Sequence, residues 1–114
     1  MNVEAYRKNN IESASPHELI KIVYDEVQKG LMLSIMNTEK NDMASAVSAK
    51  EKTLDALLVL IDALDRDGGG EIAEELNSLY SYAYSTILSS SDVGDLKKLL
   101  TIFQGLSESW VKIS

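Results

Sequence analysis

Apolar residues recur at helical spacing in four stretches of this chain, and no stretch alternates apolar and polar positions as a half-buried strand does. In the first, Leu19, Ile20, Val23, Tyr24, Val27, Leu31 and Ile35 share a face, which predicts a helix from Pro16 to about Met36. Ser15 can cap it, Pro16 suits the first helical position, and Glu18 completes a capping box. The second helix starts after Asn41 or Asp42 and carries Met43, Val47, Leu54, Leu57, Leu58, Ile61 and Leu64. It ends at Asp67, before Gly68-Gly69-Gly70, which supply the positive-φ positions of a tight turn. The third runs from Glu71 to Leu88 with Ile72, Leu76, Leu79, Tyr80, Ala83 and Ile87 on one face. The fourth, capped by Asp92, runs from Val93 to about Ile113 with Leu96, Leu99, Leu100, Phe103, Leu106, Trp110 and Ile113 inward.

Short connections set neighbouring helices antiparallel, so the predicted fold is all-α, an up-down four-helix bundle. The chain reads as one domain over residues 1–114, with a mobile N-terminal arm at 1–14 and the bundle at 15–114. Val3 and Tyr6 in the arm follow helical spacing, yet two turns do not hold alone in water.

A bundle helix needs a single apolar stripe, and several large apolar residues fall off these stripes. They are Ile22, Met32, Leu33 and Met36 on the first helix, Val59 and Leu60 on the second, Tyr82 on the third and Ile102 on the fourth. One reading is a wide core with scattered exposure. The other is a contiguous groove for a partner helix.

Composition narrows the function classes. With 45% hydrophobic and 25% charged residues, the 114-residue chain is ordinary for a water-soluble domain. It has no cysteine, which removes disulfides, thiol catalysis and thiolate metal sites and suits a reducing cytosol. No apolar run reaches the length of a membrane span, and MNVEAYRKNN lacks a signal-peptide core, so the expected location is cytosolic, with no membrane insertion. A net charge of −7 with no basic patch argues against nucleic-acid and anionic-membrane binding.

Catalytic chemistry is not legible. His17, the sole histidine, falls in a first helical turn and reads as a surface residue. A phosphotransfer histidine needs an exposed place in mid-helix, and a di-iron bundle needs Glu-x-x-His pairs, which the chain lacks. Asp65-x-Asp67 fails as a calcium loop because Leu76 stands where a bidentate glutamate is required. The triple glycine lacks the Lys-Ser/Thr of a phosphate loop, and Ser89–Ser91 has no histidine to activate it. No enzyme activity, cofactor or metal is expected.

The order and spacing of several short motifs resemble one family. Ala5-Tyr6, Ser13-Ala14-Ser15-Pro16 with Leu19-Ile20, Val23-Tyr24-Asp25, Gly69-Gly70-Glu71-Ile72-Ala73 with Leu76, Leu79-Tyr80-x-Tyr82 and Trp110 are similar to the flagellin-specific export chaperones, FliS. The resemblance implies a cytosolic, non-enzymatic bundle that binds the disordered C-terminal region of flagellin, prevents premature polymerisation and delivers it to the flagellar type III export gate. It also implies that Val3 and Tyr6, which match an apolar residue and a tyrosine of the family's arm, dock on the cytosolic domain of the gate protein FlhA. In free family members that arm can cover part of the cargo groove. Co-chaperones and other flagellar regulators are further partners the resemblance admits.

A disordered cargo needs a long apolar track, on the order of 1,000–3,000 Å². Ile22, Met32, Leu33, Val59, Leu60, Tyr82 and Ile102 are the candidate groove residues. Three departures from the family pattern would reshape such a groove: Val23, Glu26-Val27 and Gly30, the last at about 1 kcal/mol relative to alanine in a helix. Two other function classes stay open on sequence: a histidine-phosphotransfer-like signalling bundle and a cargo-free structural bundle that dimerises through its off-stripe residues. Monomer and dimer are both compatible with the chain.

Overall fold

The computed structural model describes residues 15–67, 70–90 and 92–113. They form helices α1 (Pro16–Glu39), α2 (Met43–Asp67), α3 (Glu71–Ser89) and α4 (Val93–Ile113). Among the described residues there is no strand. The arm, with Val3 and Tyr6, lies outside the described residues, as do Gly68, Gly69 and Ser91.

Each described boundary has a chemical cause. Ser15 Oγ accepts from the Glu18 N–H at 3.2 Å and caps α1. At its other end Asn41 takes φ 62°, a left-handed conformation that asparagine tolerates. This lets the Asp42 N–H reach the Asn37 carbonyl at 2.9 Å and the Asn41 N–H reach Thr38 at 3.1 Å, the paired bonds of a Schellman stop. Asp42 then caps α2 by accepting from the Ser45 N–H at 3.2 Å, and its carboxyl is held below its ordinary value by the Ser45 hydroxyl and N–H. Gly70, at φ 110°, precedes α3. Asp92 Oδ1 accepts from the Gly94 N–H at 2.7 Å at the start of α4.

α1 is the central element: it packs against both α2 and α4, while α3 rests on α2 and touches α4 less. The core is built from Val23, Tyr24, Val27, Leu31 and Ile35 of α1, Leu57 and Leu60 of α2, Tyr80, Ala83 and Ile87 of α3, and Leu96, Leu99 and Phe103 of α4.

The α1–α2 contact is made of small residues. Gly30, Ser34, Ala46, Ala49, Thr53 and Ala56 are buried. A Cβ at Gly30 would overlap the Thr53 hydroxyl and lie 3.1 Å from Thr53 Cβ, so the helices approach closely at this point. The buried hydroxyls are satisfied locally: Ser34 Oγ donates to the Gly30 carbonyl at 2.7 Å, and Thr53 Oγ1 to Ala49 at 2.8 Å. Gly30 is therefore a helix-crossing residue. Val23 and Val27 are buried as well, so of the named departures Glu26 alone faces solvent.

The predicted face of α2 needs correction. Val59 and Leu60 were expected off the stripe and are buried, at 3% and 1% exposure, whereas Met43, Val47 and Leu58 are about half exposed. Leu57 of the predicted face is buried and Leu54, Ile61 and Leu64 pack half-buried against the core, but the fully buried stripe of Ala46, Ala49, Thr53, Ala56, Leu57 and Leu60 is displaced from the predicted face by roughly a third of a turn. Alanine and threonine carry the contact because α1 comes too close there for leucine. Ile72 likewise was expected inward and is exposed, since the first turns of α3 bury no side chain.

Candidate functional site

An aromatic cluster joins three helices at the centre of the bundle. The Tyr24 and Tyr80 hydroxyls share a buried hydrogen bond of 2.6 Å. Phe103 lies edge-on to Tyr24 and stacks on Tyr80, with ring centroids 6.2 Å apart in each case. Burial pushes both tyrosines above their ordinary value, and for Tyr80 the neighbouring Tyr24 adds to the rise. Two neutral phenols that satisfy one another form a structural tie between α1 and α3.

Trp110 extends the cluster to the end of the bundle. It meets Tyr24 edge-on at 6.1 Å, stacks on His17 at 4.7 Å, and donates its indole N–H to the His17 carbonyl at 2.9 Å. His17 is therefore half-buried under a ring, in the first turn of α1, and differs from the free surface residue expected. Its place is also unlike the open mid-helix position that phosphotransfer requires.

Beside this latch lies a cleft of 760 Å³ lined by Ser15, His17, Glu18, Lys21, Ile22 and Val111. A second cleft of 550 Å³ between α1 and α4 shares Lys21 and Val111 with it and is lined further by Gln28, Gln104 and Glu108. Lys21 is paired with Asp25 at 2.6 Å on the same helix face. No group of three or more His, Asp or Glu side chains is placed to hold a metal ion among the described residues.

The candidate groove residues separate into three groups. Val59 and Leu60 belong to the core and line no open surface. Ile22 lines the cleft beside His17. Met32, Leu33, Tyr82 and Ile102 are exposed, at 49%, 36%, 60% and 36%. Met32 and Leu33 join exposed Met36 near the end of α1, while Tyr82 and Ile102 stand on α3 and α4. Sequence reasoning missed Met43, Val47 and Leu58, which share one exposed face of α2 because they are separated by about one and about three helical turns. The signal that would have found them is the parallel row of alanines, which competes for the role of core face.

The exposed apolar residues thus exceed isolated surface leucines in number and occur in rows on α1 and α2, a pattern suited to an apolar partner. No helix among the described residues is long and apolar enough to cross a membrane.

Comparison with known proteins adds an independent finding. The family model described as "Flagellar protein FliS" matches residues 1–114. The chain is similar to the flagellar secretion chaperone FliS of Salmonella typhimurium, with 30% identity covering 98% of this chain and 89% of that protein. It is also similar to the flagellar secretion chaperone FliS of Campylobacter jejuni, with 25% identity covering 96% of this chain and 88% of the relative.

Proposed function

We infer the function of this chain from its family: it belongs to the FliS flagellar secretion chaperones. We propose that it is a cytosolic, non-enzymatic chaperone that binds the disordered C-terminal region of flagellin, prevents premature polymerisation and brings it to the type III export gate. Its mechanism is masking. A rigid bundle offers rows of exposed apolar residues, and a cargo that folds on them loses the surface through which it would polymerise.

The observation that carries this reading is the exposed row of Met32, Leu33 and Met36 on α1, with Met43, Val47 and Leu58 on α2. Methionine is unbranched and polarizable, so it adapts to an irregular ligand. Tyr82 and Ile102 extend the apolar surface to α3 and α4, and Ile22 contributes at the cleft by His17. Val59 and Leu60 act from beneath, by fixing the orientation of α2. The burial expected of coupled folding, on the order of 1,000–3,000 Å², needs more than one helix face.

In this reading Val3 and Tyr6 dock on the cytosolic domain of FlhA once cargo is bound. Sedimentation of the chain with and without monomeric flagellin tests the proposal. A discrete complex in place of the free chain is expected. A chain that self-associates through its apolar rows and ignores flagellin would instead be a cargo-free structural bundle. Tyr6→Ala is expected to retain the flagellin complex and to lose capture by the FlhA domain.

A further inference from the structure

α3 is held unevenly along its length. Its buried residues are Tyr80, Ala83 and Ile87, all in its second half. Over residues 71–79 no side chain is buried: Ala73, Leu76 and Leu79 are half-buried, the rest are exposed, and Ile72 is 74% exposed. Gly70, which precedes this segment, offers no side chain to cap it. Glu71 and Glu74 favour the helix start through its dipole, a contribution that salt screens.

The second half is fastened. The Tyr80 hydroxyl bonds Tyr24 of α1 at 2.6 Å, and Lys50 of α2 donates to the Ser90 carbonyl at 2.9 Å, just past the end of the helix. Ser90 Oγ in turn donates to Asp95 of α4 at 2.8 Å. The ties thus run from Tyr80, at the middle of α3, to Ser90, where α3 turns into α4.

Local opening follows buried apolar contact, and a helix segment of this length does not persist undocked in water. We infer that residues 71–79 open as a unit while the remainder of α3 stays docked, with the Tyr24–Tyr80 hydrogen bond marking where the opening stops. The antiparallel course of α2 and α3 sets this segment beside the C-terminal half of α2. There Leu57 and Leu60 are buried and Ile61 and Leu64 half-buried. Opening therefore uncovers apolar α2 surface at the end of the bundle where α1 begins. This device does not depend on the identity of the cargo.

Native-state amide exchange of the full chain, followed by NMR, tests it. After correction for intrinsic rates, the amides of residues 75–79 are expected to exchange at least tenfold faster than those of 83–87. Equal protection of the two segments would overturn the inference. In Tyr80→Phe, protection of 83–87 is expected to fall at least threefold relative to α1 and α4, because the stop has been removed. A uniform fall across all four helices, or no change, would overturn the role given to the tyrosine pair.

Discussion

The indole N–H of Trp110 donates to the backbone carbonyl of His17 at 2.9 Å, and the two rings stack 4.7 Å apart. The bond fastens the last turns of α4 to the first turn of α1, at the root of the segment that precedes Ser15. Because the acceptor is a backbone atom, the tryptophan matters more than the histidine. Trp110→Phe keeps an aromatic ring on His17 and loses the hydrogen bond, with an expected cost of about 1 kcal/mol in urea unfolding. His17→Ala should cost less than that, since the carbonyl remains. A larger loss in His17→Ala than in Trp110→Phe would show that the imidazole supplies the tie.

Gly30 sits where α1 and α2 approach closely over Thr53. Gly30→Ala gains about 1 kcal/mol of helix propensity but forces a methyl group onto the Thr53 hydroxyl, and overpacking of that kind costs about 1–3 kcal/mol. The expected net effect is destabilisation by about 0–2 kcal/mol, in place of the gain of about 1 kcal/mol that propensity alone would give. Thr53→Ala should relieve part of it, so a double-mutant cycle should return a favourable coupling of about 1 kcal/mol. Zero coupling would mean that the helices do not meet at these residues.

The tyrosine pair predicts an alkaline limit to stability. Burial raises the value of both phenols, so the folded state keeps protons that the unfolded chain releases above about pH 10. The stability contributed by the neutral pair is therefore complete below that pH and falls as pH rises through it. Tyr80→Phe leaves the Tyr24 hydroxyl without its partner and should cost about 1–3 kcal/mol at neutral pH. Replacing both by phenylalanine should cost less and flatten the loss above pH 10 relative to the parent chain. Chemical unfolding at neutral and alkaline pH measures both effects.

The orientation of α2 is tested by two neighbouring leucines. Leu60 is 1% exposed and Leu58 is 46% exposed. Leu60→Ala should cost about 2–5 kcal/mol, and Leu58→Ala less than about 1 kcal/mol. Equal costs would return α2 to the orientation that the larger apolar residues suggest.

That pair also shows how far the sequence could be read. The four helices were legible because their periodicity is strong and their ends carry chemical signals: Ser15, Asp42, the glycines before Glu71, and Asp92. The buried faces of α1 and α4 were legible for the same reason. α2 was legible only in part: Leu54, Leu57, Ile61 and Leu64 do meet the core, but hydrophobic size and burial part company where Gly30 brings two helices close and alanines do the packing. Val59 and Leu60 consequently passed from candidate groove to core, and Met43, Val47 and Leu58 from core to surface. His17 was unreadable for a different reason: its partner, Trp110, lies at the other end of the sequence, and the acceptor is a backbone carbonyl that carries no residue-specific signal.

The most direct test of the proposed chaperone role is a calorimetric titration of the full chain with the C-terminal segment of flagellin. The account predicts a saturable one-to-one complex at or below tens of micromolar, with a negative heat-capacity change from apolar burial, roughly 8 kcal/mol of affinity at the micromolar level. Replacing Leu33 or Met36 by aspartate should weaken it while leaving the bundle folded. No heat and no complex at tens of micromolar would contradict the account.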